Sequence, residues 1–343
     1  MVNKKISVIT TCLNSGIYIE DTVLSILNQK YNNFELIIID ADSTDSTHSI
    51  MKKFRNESKI KFYIKKNIGF YEGLKIGVEK SDGEYIMFMP ISDSYTSFDW
   101  FENCEKILNK NENISLVHGI CIHNNDDGSK FFGTATRQNC PSGESFFPFW
   151  LASFYAFAEH SFCIRKNIFL ECMNVNVFEI DDFNKKNKSD IVSKNKLQFN
   201  IFLKLAFNFN RLGYLSFFIP KVTSLVRIHS NSNSEKDLNN NFDISELYVG
   251  MIENYRTQLF TGEIVHHFKN GNGNIIGTLD GYELAKCIKE TITFRMYEKK
   301  YFGARDKLNQ VGHKFTYKTK YIFAFTIRVL IDFYYKLYRL FSI

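Results

Sequence analysis

Residues Tyr85 to Met89 form a short apolar run without charge, bounded before by Asp82-Gly83 and after by Pro90. Such a run predicts a strand buried on both faces, as in a parallel sheet covered by helices. A sheet of that kind restricts the rest of the chain, which must supply further apolar strands alternating with helices. Ile6 to Thr11 is a β-branched run, Phe34 to Ile39 a second apolar strand and Ile60 to Ile64 a third. Between them Ile19, Val23, Ile26 and Leu27 recur at helical spacing, as do Ile50, Met51 and Phe54. Glu72 to Lys80 reads as a further helix, with Gly73 and Gly77 four apart so that it can approach a sheet or ligand closely. Asn14 and Ser15 are expected to cap the first helix, and Ser43 or Thr44 the second. The series predicts an α/β fold: a doubly wound, mostly parallel sheet flanked by helices.

In open sheets of this class, ligands bind beyond the carboxyl ends of the strands. Thr10, Thr11 and Asn14 follow the first strand, and Asp40 and Asp42 end the second. Asn67 and Gly69 follow the third, and Ser92 and Asp93 the fourth. Polar residues at all four ends put the candidate site on this rim, with Asp93 as its anchor.

Beyond the rim, Phe98 to Asn109 reads as a helix and Leu116 to Ile122 as a strand that returns near Phe131. A helix from about Lys166, a polar irregular loop from Asn174 to Lys196 and a helix from Gln198 to Phe209 follow. Tyr214 to Ile228 is extended and interrupted by Pro220. With 343 residues, roughly two domains are expected. The character changes after Glu235, where Phe242 to Leu259 and Tyr282 to Arg305 read as helices. The expected division is 1–235 and a helical C-terminal region, 236–343. Residues 318–343 are aromatic and basic. They either lie flat on an anionic membrane or form a last helix that covers the core.

A net charge of +6 suits an acidic ligand or an anionic membrane surface. It is too small and too spread to indicate nucleic acid, and no zinc-finger or RNA-binding signature is present. Seven cysteines without a CxxC read as reduced, buried thiols of a cytoplasmic protein. No signal peptide or bilayer-spanning segment is expected, so the protein is placed in the cytoplasm or peripherally on the inner face of the plasma membrane. The glycine fingerprints of dinucleotide-binding and P-loop enzymes, and the nucleophile elbow of hydrolases, do not occur.

Five stretches in order resemble the family 2 glycosyltransferases, which have the GT-A fold, and a bacterial polysaccharide subgroup among them. Ser7 to Asn14 is similar to the opening strand of that family, and Asp40 to Thr47 to its D-x-x-S-T-D-x-T. Asn67 to Gly77 resembles the D-x-G-I-Y-D-A-M-N-K-G loop, Gly83 to Asp93 the G-E-Y-I-x-F-L-N-S-x-D strand, and Arg227 to Asn231 the closing R-x-H-x-N. The resemblance implies a nucleoside-diphosphate sugar donor, UDP by default, and transfer with inversion to a saccharide or lipid-linked acceptor in surface polysaccharide synthesis. It implies that Thr10, Thr11, Asn14 and Asp40 line the nucleoside pocket. Asp42, Asn67, Gly69 and Ser92 complete the donor rim. Asp93 would hold a divalent cation, Mg²⁺ or Mn²⁺, against the diphosphate, with His229 reaching the same ion or phosphate.

The chain departs from the family twice. The family's metal motif carries two or three acidic residues, whereas here only Asp93 remains in Pro90-Ile91-Ser92-Asp93-Ser94. The family's base, an Asp ahead of a helix, aligns with Gln198, and a glutamine cannot accept a proton at neutral pH. Either a loop carboxylate (Glu179, Asp181, Asp182 or Asp190) or Glu159 supplies the base, or the protein is a non-catalytic relative that binds nucleotide sugar as a scaffold or partner subunit. Glu159-His160 aligns with a polar pair that faces the acceptor in the family.

Overall fold

The computed structural model describes residues 2–125, 131–134, 140–175, 201–229, 244–279 and 284. Strands β1 (Ile6–Cys12), β2 (Phe34–Asp40), β3 (Ile60–Ile64) and β4 (Tyr85–Phe88) form where the apolar runs predict them. Seven residues of β2 and all four of β4 are buried, because helices cover both faces. These helices are α1 (Ile19–Leu27), α2 (Thr47–Met51), α3 (Phe70–Lys80) and α4 (Trp100–Lys110). The spacing of α1 turns Ile19, Val23 and Ile26 inward. A Cβ at Gly77 would lie 2.3 Å from Ile9 Cγ2, and one at Gly73 2.8 Å from Thr11 Cγ2. The two glycines therefore let α3 rest directly on β1.

Strand β5 (Ser94–Tyr95) follows β4, and then come β6 (Ile114–Asn125), β7 (Phe131–Thr134), β8 (Phe162–Arg165) and β9 (Leu215–Ile228). The order across the sheet is β3-β2-β1-β4-β8-β6-β9-β5, with β7 paired to β6. Strands β1 to β4 pair in parallel, β8 runs antiparallel to both its neighbours, and β6 pairs with β9 in parallel. Pro220 does not interrupt β9 as expected. The strand passes it with shifts of register, and its far end pairs with β5 beside the candidate site.

Helices α5 (Phe146–Ser153), α6 (Lys166–Asn174), α7 (Ile201–Arg211) and α8 (Ile244–Thr261) pack under the second half of the sheet. The described part of the C-terminal region is helical at Leu284 and over α8. A hairpin of β10 (His266–Lys269) and β11 (Ile275–Leu279) follows it, which the sequence reading did not anticipate. Both join the common core. The Trp150 indole donates to Tyr248 at 2.9 Å, Tyr248 donates to the Tyr155 carbonyl at 2.8 Å, and the Phe147 and His266 rings stack at 3.6 Å.

At the amino edge of the sheet, Glu35 interrupts the apolar pattern of β2. It accepts from Ser7 Oγ at 2.6 Å and the Asp82 amide at 2.7 Å, and pairs with Lys61 at 2.7 Å and Lys5 at 3.1 Å. Burial opposes its ionisation, but the Lys61, Ser7, Asp82 and Lys5 bonds outweigh that and hold the carboxyl at about 2. A depressed carboxyl stabilises the fold above its unfolded value and loses that contribution as pH falls through the folded one. About 3 kcal/mol is expected to vanish between pH 4.5 and 2. Urea unfolding across this range measures it, and Glu35→Gln should flatten the slope.

Candidate active site

The parallel strands end in register, Cys12 beside Asp40 and Asp40 beside Ile64. Just past each of three ends the chain turns through a left-handed residue: Asn14 (φ 50°), Asp42 (φ 68°) and Asn67 (φ 58°). Asn and Asp tolerate this conformation because their short polar side chains bond locally. Three sharp turns at adjacent strand ends leave a rim, and Asp93 follows the fourth strand on the same edge.

The first two turns are laced together. Asn14 N donates to Ser43 Oγ at 2.8 Å, Ser15 N to Thr47 Oγ1 at 2.9 Å and Gly16 N to Asp45 Oδ2 at 2.9 Å. In return Thr44 N donates to Asn14 Oδ1 at 2.9 Å. The expected helix caps are corrected accordingly. Ser43 and Thr44 brace the neighbouring loop, α2 starts only at Thr47, and the first amides of α1 bond to the Ser15 carbonyl rather than to a side chain.

Asp40 is likewise placed otherwise than expected. It is fully enclosed and accepts from Ser43 N at 3.0 Å, His48 Nε2 at 2.7 Å and Cys12 Sγ at 3.2 Å, as well as from Ser43 Oγ. Burial disfavours its charge, yet these bonds together hold the carboxyl below its ordinary value. Thr10 is also closed off, with its hydroxyl unpartnered among the described residues. Neither side chain can line a nucleoside pocket in this arrangement. Asn14, Asp42, Asn67 and Gly69 do face outward, and Thr11 reaches the pocket described next.

Asp93 is 4% exposed. Its Oδ1 accepts from the Arg227 amide at 3.0 Å and from Ser92 Oγ at 3.3 Å, and its Oδ2 lies 3.5 Å from His160 Nδ1. The Thr22 hydroxyl fixes this loop from α1, reaching the carbonyls of Ile91 at 2.6 Å and Asp93 at 2.8 Å. Burial raises the Asp93 carboxyl to about 7, with the Arg227 and Ser92 bonds only partly opposing it. His160 is buried with neither ring nitrogen hydrogen-bonded among the described residues, and burial lowers it to about 3, so the ring is neutral. The sequence carried His160 only as part of a polar pair; its contact with Asp93 depends on β8 lying against β4.

Glu159 lines a pocket with Thr11, Phe70, Leu74, Phe88, Met89, Pro90 and Phe202. The cavity itself, about 10 Å³, has room for little more than a water molecule, so a donor must occupy the open rim. Protein surrounds the Glu159 carboxyl on most sides while the residue keeps partial access to solvent. That burial, with the charge of Asp93 adding to it, raises the carboxyl to about 7. Asp182 and Gln198 lie outside the described residues, as do Glu179, Asp181 and Asp190.

His229 lies two residues beyond the Arg227 amide that holds Asp93, and its buried Nδ1 has no hydrogen-bond partner among the described residues. Its ring packs on Tyr18 at 4.7 Å. The Arg227 guanidinium lies over the same Tyr18 ring at 5.3 Å and pairs with Asp21 at 3.2 Å.

No group of three acidic, His or Cys side chains forms a metal cage among the described residues. Asp93 does offer Oδ2, which has no donor within hydrogen-bond geometry there. A hard cation that travels with a diphosphate needs only one or two carboxylates beside its phosphate oxygens. The donor set fits that mode of binding and not a dedicated all-protein site.

The profile of glycosyl transferase family 2 matches residues 7–195. An uncharacterized glycosyltransferase of Haemophilus influenzae is 35% identical over 114 residues, which cover 33% of this chain and 35% of that protein. The putative teichuronic acid biosynthesis glycosyltransferase TuaG of Bacillus subtilis is 35% identical over 92 residues, 26% of this chain and 36% of that protein. The GalNAc(5)-diNAcBac-PP-undecaprenol beta-1,3-glucosyltransferase of Campylobacter jejuni is 27% identical over 121 residues, 34% of this chain and 38% of that protein. Each match spans little more than a third of the relative's own length. The crystal structure of S. aureus TarS superposes with a TM-score of 0.50 at 14% identity, covering 84% of this chain and 43% of that one. At that identity the likeness is one of fold.

Proposed function

We propose, because this chain belongs to glycosyl transferase family 2, that it moves a sugar from a nucleoside-diphosphate sugar to a hydroxyl of a saccharide or lipid-linked acceptor in bacterial surface polysaccharide synthesis. The observation that carries the reading is the enclosure of Asp93 on the same rim as the three left-handed turns, with Glu159 in the adjoining pocket. The outward-facing Asn14, Asp42, Asn67 and Gly69 receive the nucleoside end, with UDP as the default. Asp93 stands where the diphosphate arrives. A divalent cation carried in with the diphosphate would be held by Asp93 Oδ2, and it supplies charge neutralisation for the departing nucleotide. The neutral His160 ring keeps water from the inner side of Asp93. The aromatic wall of Phe70, Phe88 and Phe202 excludes water from the sugar side.

In the proposed step an acceptor oxygen attacks the anomeric carbon from the face opposite the diphosphate, so the configuration inverts. The basic segment 318–343 lies outside the described residues, and its contact with an anionic membrane belongs to the same proposal. Among the described residues no helix is long and apolar enough to cross a membrane.

Calorimetric titration with UDP in the presence of Mg²⁺ or Mn²⁺, paired with release of UDP from a panel of UDP-sugars, tests the reading. Binding with turnover is expected. Binding without turnover across donors and acceptors would favour the non-catalytic carrier.

A further inference from the structure

We propose that Glu159 is the general base of this protein, taking the proton of the acceptor hydroxyl in the role that a loop aspartate fills in the family and that Gln198 cannot fill. The assignment rests on the sugar-transfer reading.

Among the described residues Glu159 is the only titratable side chain lining the pocket, with Thr11 and Pro90 at the carboxyl ends of β1 and β4 beside it. Among the described residues it has no hydrogen bond and no ion pair. The nearby acidic groups have other work: Asp93 is held on Oδ1 by Arg227 and Ser92 and keeps Oδ2 for the cation, while Asp40 is engaged by Ser43, His48 and Cys12, Asp45 by Gly16 and Thr47, and Asp21 by Arg227. A carboxylate beside an aromatic wall, with solvent only on its open side, gains from a donor brought by a ligand. Its elevated carboxyl value agrees with a base poised near neutrality.

The segment that carries Glu159 is held under constraint. Phe154 ends α5 at φ 54°, a left-handed conformation that a bulky aromatic residue rarely adopts and that costs about 1–3 kcal/mol. The Tyr248 hydroxyl grips the Tyr155 carbonyl, Ser161 N closes a turn onto Ala158 at 3.0 Å, and Gly119 N bonds the Ser161 carbonyl at 2.9 Å. Glu159 sits inside that closed turn. Strain maintained by packing on both sides is a means of fixing a reactive side chain in place.

The step balances. The acceptor oxygen forms its bond to the anomeric carbon as its proton passes to Glu159. The bond from that carbon to the diphosphate oxygen breaks, and its electron pair leaves on the nucleoside diphosphate. Glu159 then returns the proton to solvent.

The test measures UDP release and product formation from UDP-glucose and UDP-N-acetylglucosamine with saccharide acceptors, for wild type, Glu159→Gln, Glu159→Asp and Glu159→Ala. For Glu159→Gln a fall in kcat of about 10²–10⁴-fold is expected, with the donor KM and UDP affinity nearly unchanged. Glu159→Asp should keep part of the rate, and formate should restore part of it to Glu159→Ala. Transfer by Glu159→Gln within about threefold of wild type, or a loss in Glu159→Ala that UDP binding shares and formate does not relieve, would overturn the assignment. A wild type that binds UDP yet transfers no sugar would remove the reading beneath it as well.

Discussion

Asp93→Asn is expected to reduce sugar transfer by about 10³-fold while leaving the fold as stable as before, or more so above neutral pH. The catalytic half follows from the place proposed for it at the diphosphate, where an amide would carry no charge to hold a cation. The stability half follows from sign. The carboxyl rises from 3.8 to about 7 on folding because it is enclosed, so the folded state resists its ionisation. Its contribution is unfavourable above the unfolded value and grows until pH passes the folded one. Near pH 8 that penalty reaches about 4 kcal/mol, and at pH 3 it is absent. An asparagine keeps the oxygen that accepts from the Arg227 amide and avoids the buried charge. Melting temperatures at pH 3 and 8, read beside UDP release, check both halves. Transfer by Asp93→Asn at the wild-type rate would take Asp93 out of the diphosphate grip.

Asp40→Ala is expected to act in the opposite way, through the fold. The carboxylate is fully enclosed and gathers Ser43, His48 and Cys12. Deleting it strands those donors without solvent to replace it, and about 3–5 kcal/mol of stability should be lost. The left-handed turn at Asp42 and the lacing between Asn14 and Thr44 should loosen with it. Urea unfolding measures the first effect, and a weaker UDP affinity in the still-folded variant the second. A loss below about 1 kcal/mol would show that the network is dispensable.

The strands and their order along the chain were legible because burial on two faces leaves uninterrupted apolar runs, as in Ile6 to Thr11 and Phe34 to Ile39. The close approach of α3 was legible in Gly73 and Gly77, since only a missing side chain permits it. The polar rim was legible as a location but not as a set of roles. Asp40, Ser43, Thr44, Asp45 and Thr47 read as a ligand motif, yet in the fold most of their polar atoms are spent on the adjacent loop. That distinction depends on which loop lies alongside, and strand order is not written in a local pattern. Thr22 escaped notice for the same reason, since it acts from α1 on the loop beyond β4, while His48 turns back from α2 onto Asp40 at the end of its own strand. Glu159 was one of several open choices for the base, and the pairing of β8 with β4 is what brings its segment beside Asp93. The hairpin β10–β11 was missed because His266 to Lys269 carries too few apolar residues to signal a strand.

The passage of β9 beyond Pro220 has a consequence for how the protein comes into being. The amide that secures Asp93 belongs to Arg227, 134 residues downstream. During synthesis the amino-terminal strands can associate early, but the acidic anchor must wait without its partner until most of the chain has emerged. Long-separated contacts of this kind form late and slowly. Chains interrupted before Arg227 would hold a sheet with an unfinished pocket, so competence for chemistry arrives only with the last stages of assembly.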